Sequence, residues 1–161
     1  MSLEMAVPLE VGLACRDLTK LRAFYETTLG FTFISEFVVP ADKARAAGLC
    51  PEAYTVVRLQ TSHGERIKLL ARNTPPAAEV PGTWILDRPN ANYLTFIIKD
   101  IDAAIAELLD AGIEFMTGEQ RVEVRPGVFL AFCRDPEGNV LELVQYEDIG
   151  QYRPDLIKGA F

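Results

Sequence analysis

Residues about 83 positions apart carry the same structural signals in this chain, and that repeat restricts the fold more than any single motif. Asp17 and Asp100, both helix N-cap candidates, are separated by 83 positions, as are Glu10 and Tyr93 near the start of strand-like segments. The glycines that stop the following helices, Gly30 and Gly112, are 82 apart. In the first half, LEVGLAC (Leu9 to Cys15) alternates so that Glu10, Gly12 and Ala14 face away from Leu9, Val11, Leu13 and Cys15. Leu18, Leu21, Phe24, Tyr25 and Leu29 then recur at helical spacing up to Gly30. A strand is expected over Phe31 to Val39, ended by Pro40, with a short helix or ordered loop over Ala41 to Leu49. Tyr54 to Thr61 and Arg66 to Arg72 flank the turn-forming SHGE as a hairpin, with Lys68 between Ile67 and Leu69.

The second half restarts the pattern: a strand over Tyr93 to Ile98, a helix over Ile101 to Ala111, and Ile113, Glu114 and Phe115 matching Phe31, Thr32 and Phe33. A hairpin of Val122 to Val124 and Val128 to Cys133 follows, bridged by Arg125, Pro126 and Gly127. The turn Asp135 to Gly138 leads into a last strand in which Val140, Glu142 and Val144 share a face opposite Leu141 and Leu143. A carboxylate among apolar neighbours needs a partner, whether a metal, a cation or water, because burying it unpaired is costly. The fold class is therefore α+β, two tandem βαβββ modules at residues 7–72 and 91–146. Residues 73–90, with Pro75, Pro76, Pro81 and Pro89, read as the linker, and 147–161, with Tyr152, Arg153, Pro154 and Phe161, as a tail. The tail either closes a cleft or joins a dimer interface.

Composition narrows the partners. A chain of 161 residues that is 49% hydrophobic suits one compact domain, or two small modules sharing a core. A net charge of −7 with no Lys/Arg cluster in sequence argues against nucleic acid or an anionic membrane surface. No apolar run reaches the ~20 residues needed to span a bilayer, and a cytoplasmic location is expected. Cys15, Cys50 and Cys133 are odd in number and include no CxxC pair, so free thiols are expected.

VGLACRDLTKLRAFYETTLGF, YLTFIIKDIDAAIAELLDAGIEF and DPEGNVLELVQY together resemble the vicinal oxygen chelate superfamily, the glyoxalase, bleomycin-resistance and extradiol dioxygenase group, over roughly residues 7 to 146. The resemblance implies two βαβββ modules whose curved mixed sheets form one cleft, and a homodimer. It also implies a divalent metal held by side chains from the first and last strand of each module, commonly His, His or Gln, and Glu. In this chain those positions are Glu10, Lys68, Tyr93 and Glu142, and the sole histidine, His63, lies outside the set. An ammonium has no free lone pair, so Lys68 is a poor ligand. Two arrangements follow. In one, no metal binds, and Lys68 sits between Glu10 and Glu142 while the Tyr93 hydroxyl donates to either carboxylate. In the other, Glu10, Tyr93 and Glu142 hold Mg²⁺ or Mn²⁺, which oxygen-only coordination favours.

Each of these residues also has an ordinary reading. Glu10 and Lys68 could be exposed strand-end residues, and Tyr93 a wall residue with a satisfied hydroxyl. Arg58 suits either an anionic substrate or a surface ion pair. Phe129 and Cys133 suit cavity lining or core, and Trp84 either a lid over the cleft or packing between modules. Two functions stand beside one another. One is a lyase or isomerase in which Glu10 or Glu142 abstracts a proton beside a carbonyl and Lys68 or Tyr93 stabilises the enolate. The other is a non-catalytic small-molecule-binding protein of the bleomycin-resistance type.

Overall fold

The computed structural model describes residues 4–80, 82–87, 89 and 91–157 and divides the chain into two compact units, 1–80 and 81–161. The division falls inside the proline-rich segment.

In the first unit, strands β1 (Glu10–Cys15), β2 (Thr32–Val39), β3 (Tyr54–Gln60) and β4 (Arg66–Arg72) form one sheet in the order β1-β4-β3-β2. β1 runs parallel to β4, and the other neighbours are antiparallel. A parallel pair needs a long crossover, which is supplied by helix α1 (Leu18–Ala23), β2, the short helix α2 (Ala41–Ala46) and β3. Asp17 caps α1 by accepting from the Lys20 backbone N–H at 3.0 Å. α1 does not run on to Gly30 as a regular helix. It widens into a π turn over Phe24–Thr28, closed by Leu29 N–H donating to Phe24 O at 3.1 Å and Phe31 N–H to Tyr25 O at 2.9 Å. The widened turn buries two consecutive aromatics, Phe24 and Tyr25, and Tyr25 meets Phe24 and Phe31 edge-on with ring centres 5.3 and 5.4 Å away. These pack with Leu21, Leu13, Cys15, Val57, Leu59, Ile67 and Leu69 as the core of the unit. Gly30 then turns the chain at φ +73°, a conformation open to glycine at little cost.

The second unit repeats this topology. β5 (Tyr93–Ile97), β6 (Val122–Arg125), β7 (Val128–Arg134) and β8 (Val140–Tyr146) are ordered β5-β8-β7-β6, with β5 parallel to β8. Helix α3 (Ile101–Asp110) is capped by Asp100, which accepts from Ala103 N–H at 3.0 Å. Its buried Ile101, Ile105 and Leu108 belong to the same core as Leu141, Leu143, Ala131 and Cys133. Gln145, on the same face of β8 as Leu141 and Leu143, accepts from Ile101 N–H at 2.8 Å and so ties the helix start to that face. Before β8, Asp135 is buried and closes the turn. Its Oδ1 accepts from the Glu137 and Asn139 backbone at 2.9 Å each, and its Oδ2 from Asn139 Nδ2 at 2.8 Å.

The match of Ile113, Glu114 and Phe115 to a second strand is corrected here. Phe115 makes one isolated bridge to Cys133 and Met116 N–H donates to Phe132 O at 2.7 Å, after which the chain turns at Gly118 (φ +81°). The edge strand is instead the four-residue β6, and no second turn of pairing holds 113–115 in the sheet. The tail begins with two short helices, α4 (Ile149–Tyr152) and α5 (Pro154–Ile157); Phe161 lies outside the described residues. Tyr152 stacks on Tyr146 at 3.8 Å and 11°, so the start of the tail folds back on the end of β8. Among the described residues no helix is long and apolar enough to cross a membrane.

Cys15 and Cys133 are buried while Cys50 is half-buried. Burial, followed by the nearby Asp135 charge, pushes the Cys133 thiol up to about 11. Since the thiolate is the reactive form, iodoacetamide applied to the folded protein should label Cys50 first and reach Cys15 and Cys133 only after denaturation, as read by peptide mass spectrometry. Leu69→Ala and Leu141→Ala, each emptying space in one core, should lower unfolding stability by about 2–5 kcal/mol in chemical denaturation.

Candidate functional site: the faces turned away from the helices

Alternation along β1 and β4 fixes which side chains share the face opposite α1. β1 contributes Glu10, Gly12 and Ala14, and the parallel register sets Glu10 beside Arg66 and Gly12 beside Lys68. Across β3, Lys68 is in register with Arg58 and Arg66 with Gln60. The result is one carboxylate met by three cations. Glu10 Oε2 lies 3.7 Å from Lys68 Nζ and 4.0 Å from Arg58 Nε, and Oε1 lies 3.8 Å from Arg66 Nη1. All four side chains are half-buried, with 25% of the Glu10 side chain and 33% of the Lys68 side chain exposed. These separations exceed hydrogen-bond length, so the attraction is coulombic and the donor groups stay unengaged by the carboxylate.

β2 completes this face through an irregularity. Phe33 pairs with Leu59 but Ser35 pairs with Arg58, so Ile34 is an extra residue in the strand. The bulge returns Phe33 to the helix side, where Arg22 of α1 lies over its ring at 4.5 Å, and turns Ser35 and Phe37 towards the Arg58 side. Arg58 lies over the Phe37 ring at 4.9 Å. The Ser35 hydroxyl is buried and has no hydrogen-bond partner among the described residues.

In the second unit the corresponding face carries Tyr93 and Thr95 from β5 and Val140 and Glu142 from β8, with Thr95 directly beside Glu142. Thr95 Oγ1 donates to Glu142 Oε2 at 2.6 Å. Tyr93 instead meets Phe132 edge-on, ring centres 5.4 Å apart. Thr95, two residues further along the same face than Tyr93, is thus the hydroxyl that donates to Glu142 among the described residues. Tyr146 continues this face; burial, then the hydrogen bond with Tyr152, raises its phenol above the usual range.

Of the other sequence candidates, Arg58 joins Glu10 and Lys68. Cys133 and Phe129 lie on the opposite side of their sheet. Cys133 is fully buried in the core beneath α3, and Phe129, in register with Gln145, is covered by Arg121 at 4.0 Å, which also pairs with Asp102 of α3 at 3.2 Å. Odd and even positions of β7 face opposite ways, so neither residue shares a face with Glu142. Trp84 is exposed in a turn where its backbone N–H donates to Asp87 at 3.0 Å. Two residues of the site were missed from sequence, Arg66 and Thr95. Each lies two positions from a chosen residue, Lys68 and Tyr93, and the period of two along a strand was the signal that pointed to them.

The donor set does not fit the divalent metal that the resemblance implies. A divalent ion needs several lone pairs converging on one point. The first unit offers one carboxylate already surrounded by three cations, and Lys68 as an ammonium offers no lone pair. The second offers Glu142 with two hydroxyls, those of Tyr93 and Thr95. Among the described residues, no group of three or more His, Cys, Asp or Glu gathers so as to hold a metal ion.

The family model for the glyoxalase/bleomycin resistance protein/dioxygenase superfamily matches residues 8–143. Among solved structures, a glyoxalase family protein from Bacillus cereus is similar at 22% identity and TM-score 0.74, covering 89% of this chain and 96% of its own. A glyoxylase/bleomycin resistance protein/dioxygenase domain from Frankia sp. is similar at 18% identity and TM-score 0.67, covering 90% and 95% respectively. A glyoxalase family protein from Enterococcus faecalis has 21% identity and TM-score 0.61, with 88% and 96% covered. No curated protein matches the chain. At these identities the structural likeness carries the fold alone, whereas the family model spans most of the sequence and both repeats. The chain belongs to the glyoxalase/bleomycin resistance protein/dioxygenase superfamily.

Proposed function

We propose that this chain is a small-molecule-binding protein of the sequestration type that works without a resident metal. The observation that supports this reading is the surroundings of Glu10. At a strand position where the family resemblance implies a metal ligand, the carboxylate faces Lys68, Arg58 and Arg66 within 4.0 Å. Positive side chains thus take the electrostatic place of the ion. A carboxylate flanked by three cations is a poor ligand for a further cation, because the incoming ion would be repelled by the three already present. The same arrangement disfavours Glu10 as a general base, since its charge is what holds the cluster together.

A second reading, a lyase or isomerase, is favoured by one feature of the second unit. Among the described residues Glu142 has no cationic partner and is held by a single hydroxyl, that of Thr95. Its other oxygen is left to take a proton from a carbon beside a carbonyl, with Tyr93 on the same face as a donor to the developing oxyanion.

Metal analysis by mass spectrometry on protein purified without chelator, joined to a thermal-shift screen of small molecules with product detection, separates these readings. A binder should carry well under one equivalent of metal, and at a ligand concentration of about 100 Kd should gain about 2.7 kcal/mol of stability with no product formed. One equivalent of metal lost in Glu142→Ala would overturn the metal-free reading. Turnover abolished by Glu142→Gln would replace binding with lyase or isomerase chemistry.

A further inference from the structure

Resting on the binding reading above, we propose that the face of the first sheet opposite α1 is an anion site, with Arg58, Lys68 and Arg66 as its donors and Glu10 as a resident carboxylate that competes with the ligand for them. The ligand class is a small molecule bearing a compact anionic group, a carboxylate or a phosphate.

Hydrogen bonding within the unit separates this cluster from the other arginines in it. Arg22 donates to two carboxylates, Glu26 at 3.0 Å and Glu36 at 2.9 Å. Arg72 donates to Glu52 at 3.1 Å, and Thr74 adds its own backbone and side-chain donors to the same carboxylate. Arg45 and Arg16 donate to the backbone carbonyls of Pro51 and Pro76 at 2.9 and 3.0 Å. Around Glu10 three cations face one carboxylate, so among the described residues two positive charges there have no carboxylate of their own. Arg66 directs its Nε to Gln60 at 2.6 Å, while among the described residues Arg58 and Lys68 donate no hydrogen bond at all.

Geometry sets the size of the ligand group. The three cationic groups all lie within 4.0 Å of the Glu10 carboxylate, which occupies the point they share, so an incoming anion displaces that carboxylate and its charged group is about the size of one carboxylate or phosphate. Guanidinium and ammonium groups held this close with free N–H donors form short charge-assisted hydrogen bonds to an oxyanion. Phe37, beneath Arg58, restricts the guanidinium plane and offers an apolar surface to the rest of the molecule. The chain as a whole carries −7, so the local excess suits a small anion and not an extended polyanion, which the remaining surface would repel.

The test is titration of the full-length protein with inorganic phosphate, malonate and, as the cationic control, choline, followed by ¹H–¹⁵N spectra at low ionic strength. Phosphate and malonate should bind saturably and shift the amides of Gly12, Arg58 and Lys68, and choline should not. Lys68→Met and Arg58→Gln should each weaken anion binding about tenfold or more, with Lys68→Arg largely restoring it and Lys43→Met, on exposed α2, leaving it unchanged. Glu10→Gln should tighten binding several-fold, an effect that damage to folding does not produce. Tighter binding of phosphate than malonate, or the reverse, would identify the phosphoryl or the carboxylic source of the anion. Weaker anion binding in Glu10→Gln, or saturable binding of choline or neutral compounds alone, would overturn the anion site while the binding reading stands. No saturable ligand of any charge would overturn both.

Discussion

In each half of this chain the first strand lies parallel to the last, and everything between them follows from that pairing. Two parallel neighbours cannot be joined by a tight turn, so the chain must leave the sheet and return. It does so through a helix that covers one face and a run of antiparallel strands that extends the other edge. β1 against β4 and β5 against β8 are the two instances, with Gly12 beside Lys68 in one and Thr95 beside Glu142 in the other. Covering one face with α1 or α3 fixes which positions become core. Leu69 and Leu143 are buried, and their strand neighbours Lys68 and Glu142 point the other way.

That same pairing creates the chemistry. In the first unit it places cations from β3 and β4 around the single carboxylate of β1. In the second it places a hydroxyl against the single carboxylate of β8. The two units therefore share a backbone plan and differ in charge at equivalent positions, a divergence that gives one face an excess of positive charge and the other a weakly held carboxylate. The bulge at Ile34 adds to the first by returning Ser35 and Phe37 to the side of Arg58.

Much of this was legible in the sequence because it rests on local physics. The caps at Asp17 and Asp100 and the stop at Gly30 are decided by residues within a few positions of each other. The faces of Glu10, Lys68 and Glu142 follow from a period of two. What was not legible is set across strands. The period of two puts Arg66 and Thr95 on the faces of Lys68 and Tyr93, but their places beside Glu10 and Glu142 are set by register, which no single strand specifies. The π turn over Phe24–Thr28 reflects the packing of two adjacent aromatics and not a helix-breaking residue. Ile113 to Phe115 has strand composition, but the chain turns at Gly118 before it can pair for more than one residue. Phe129 and Cys133 were open between cavity lining and core, and the register assigns them to the face beneath α3.

We propose that side-chain cations occupy the electrostatic place of a metal. Titration with Mn²⁺, read by paramagnetic broadening of backbone amides, tests it most directly, because the ion erases signals within its reach wherever it binds. The expected result is weak, dispersed broadening over acidic surface residues, with the amides of Glu10, Gly12, Lys68 and Glu142 retained. Selective loss of those signals at one equivalent of Mn²⁺ would contradict the account and restore the metal to the site.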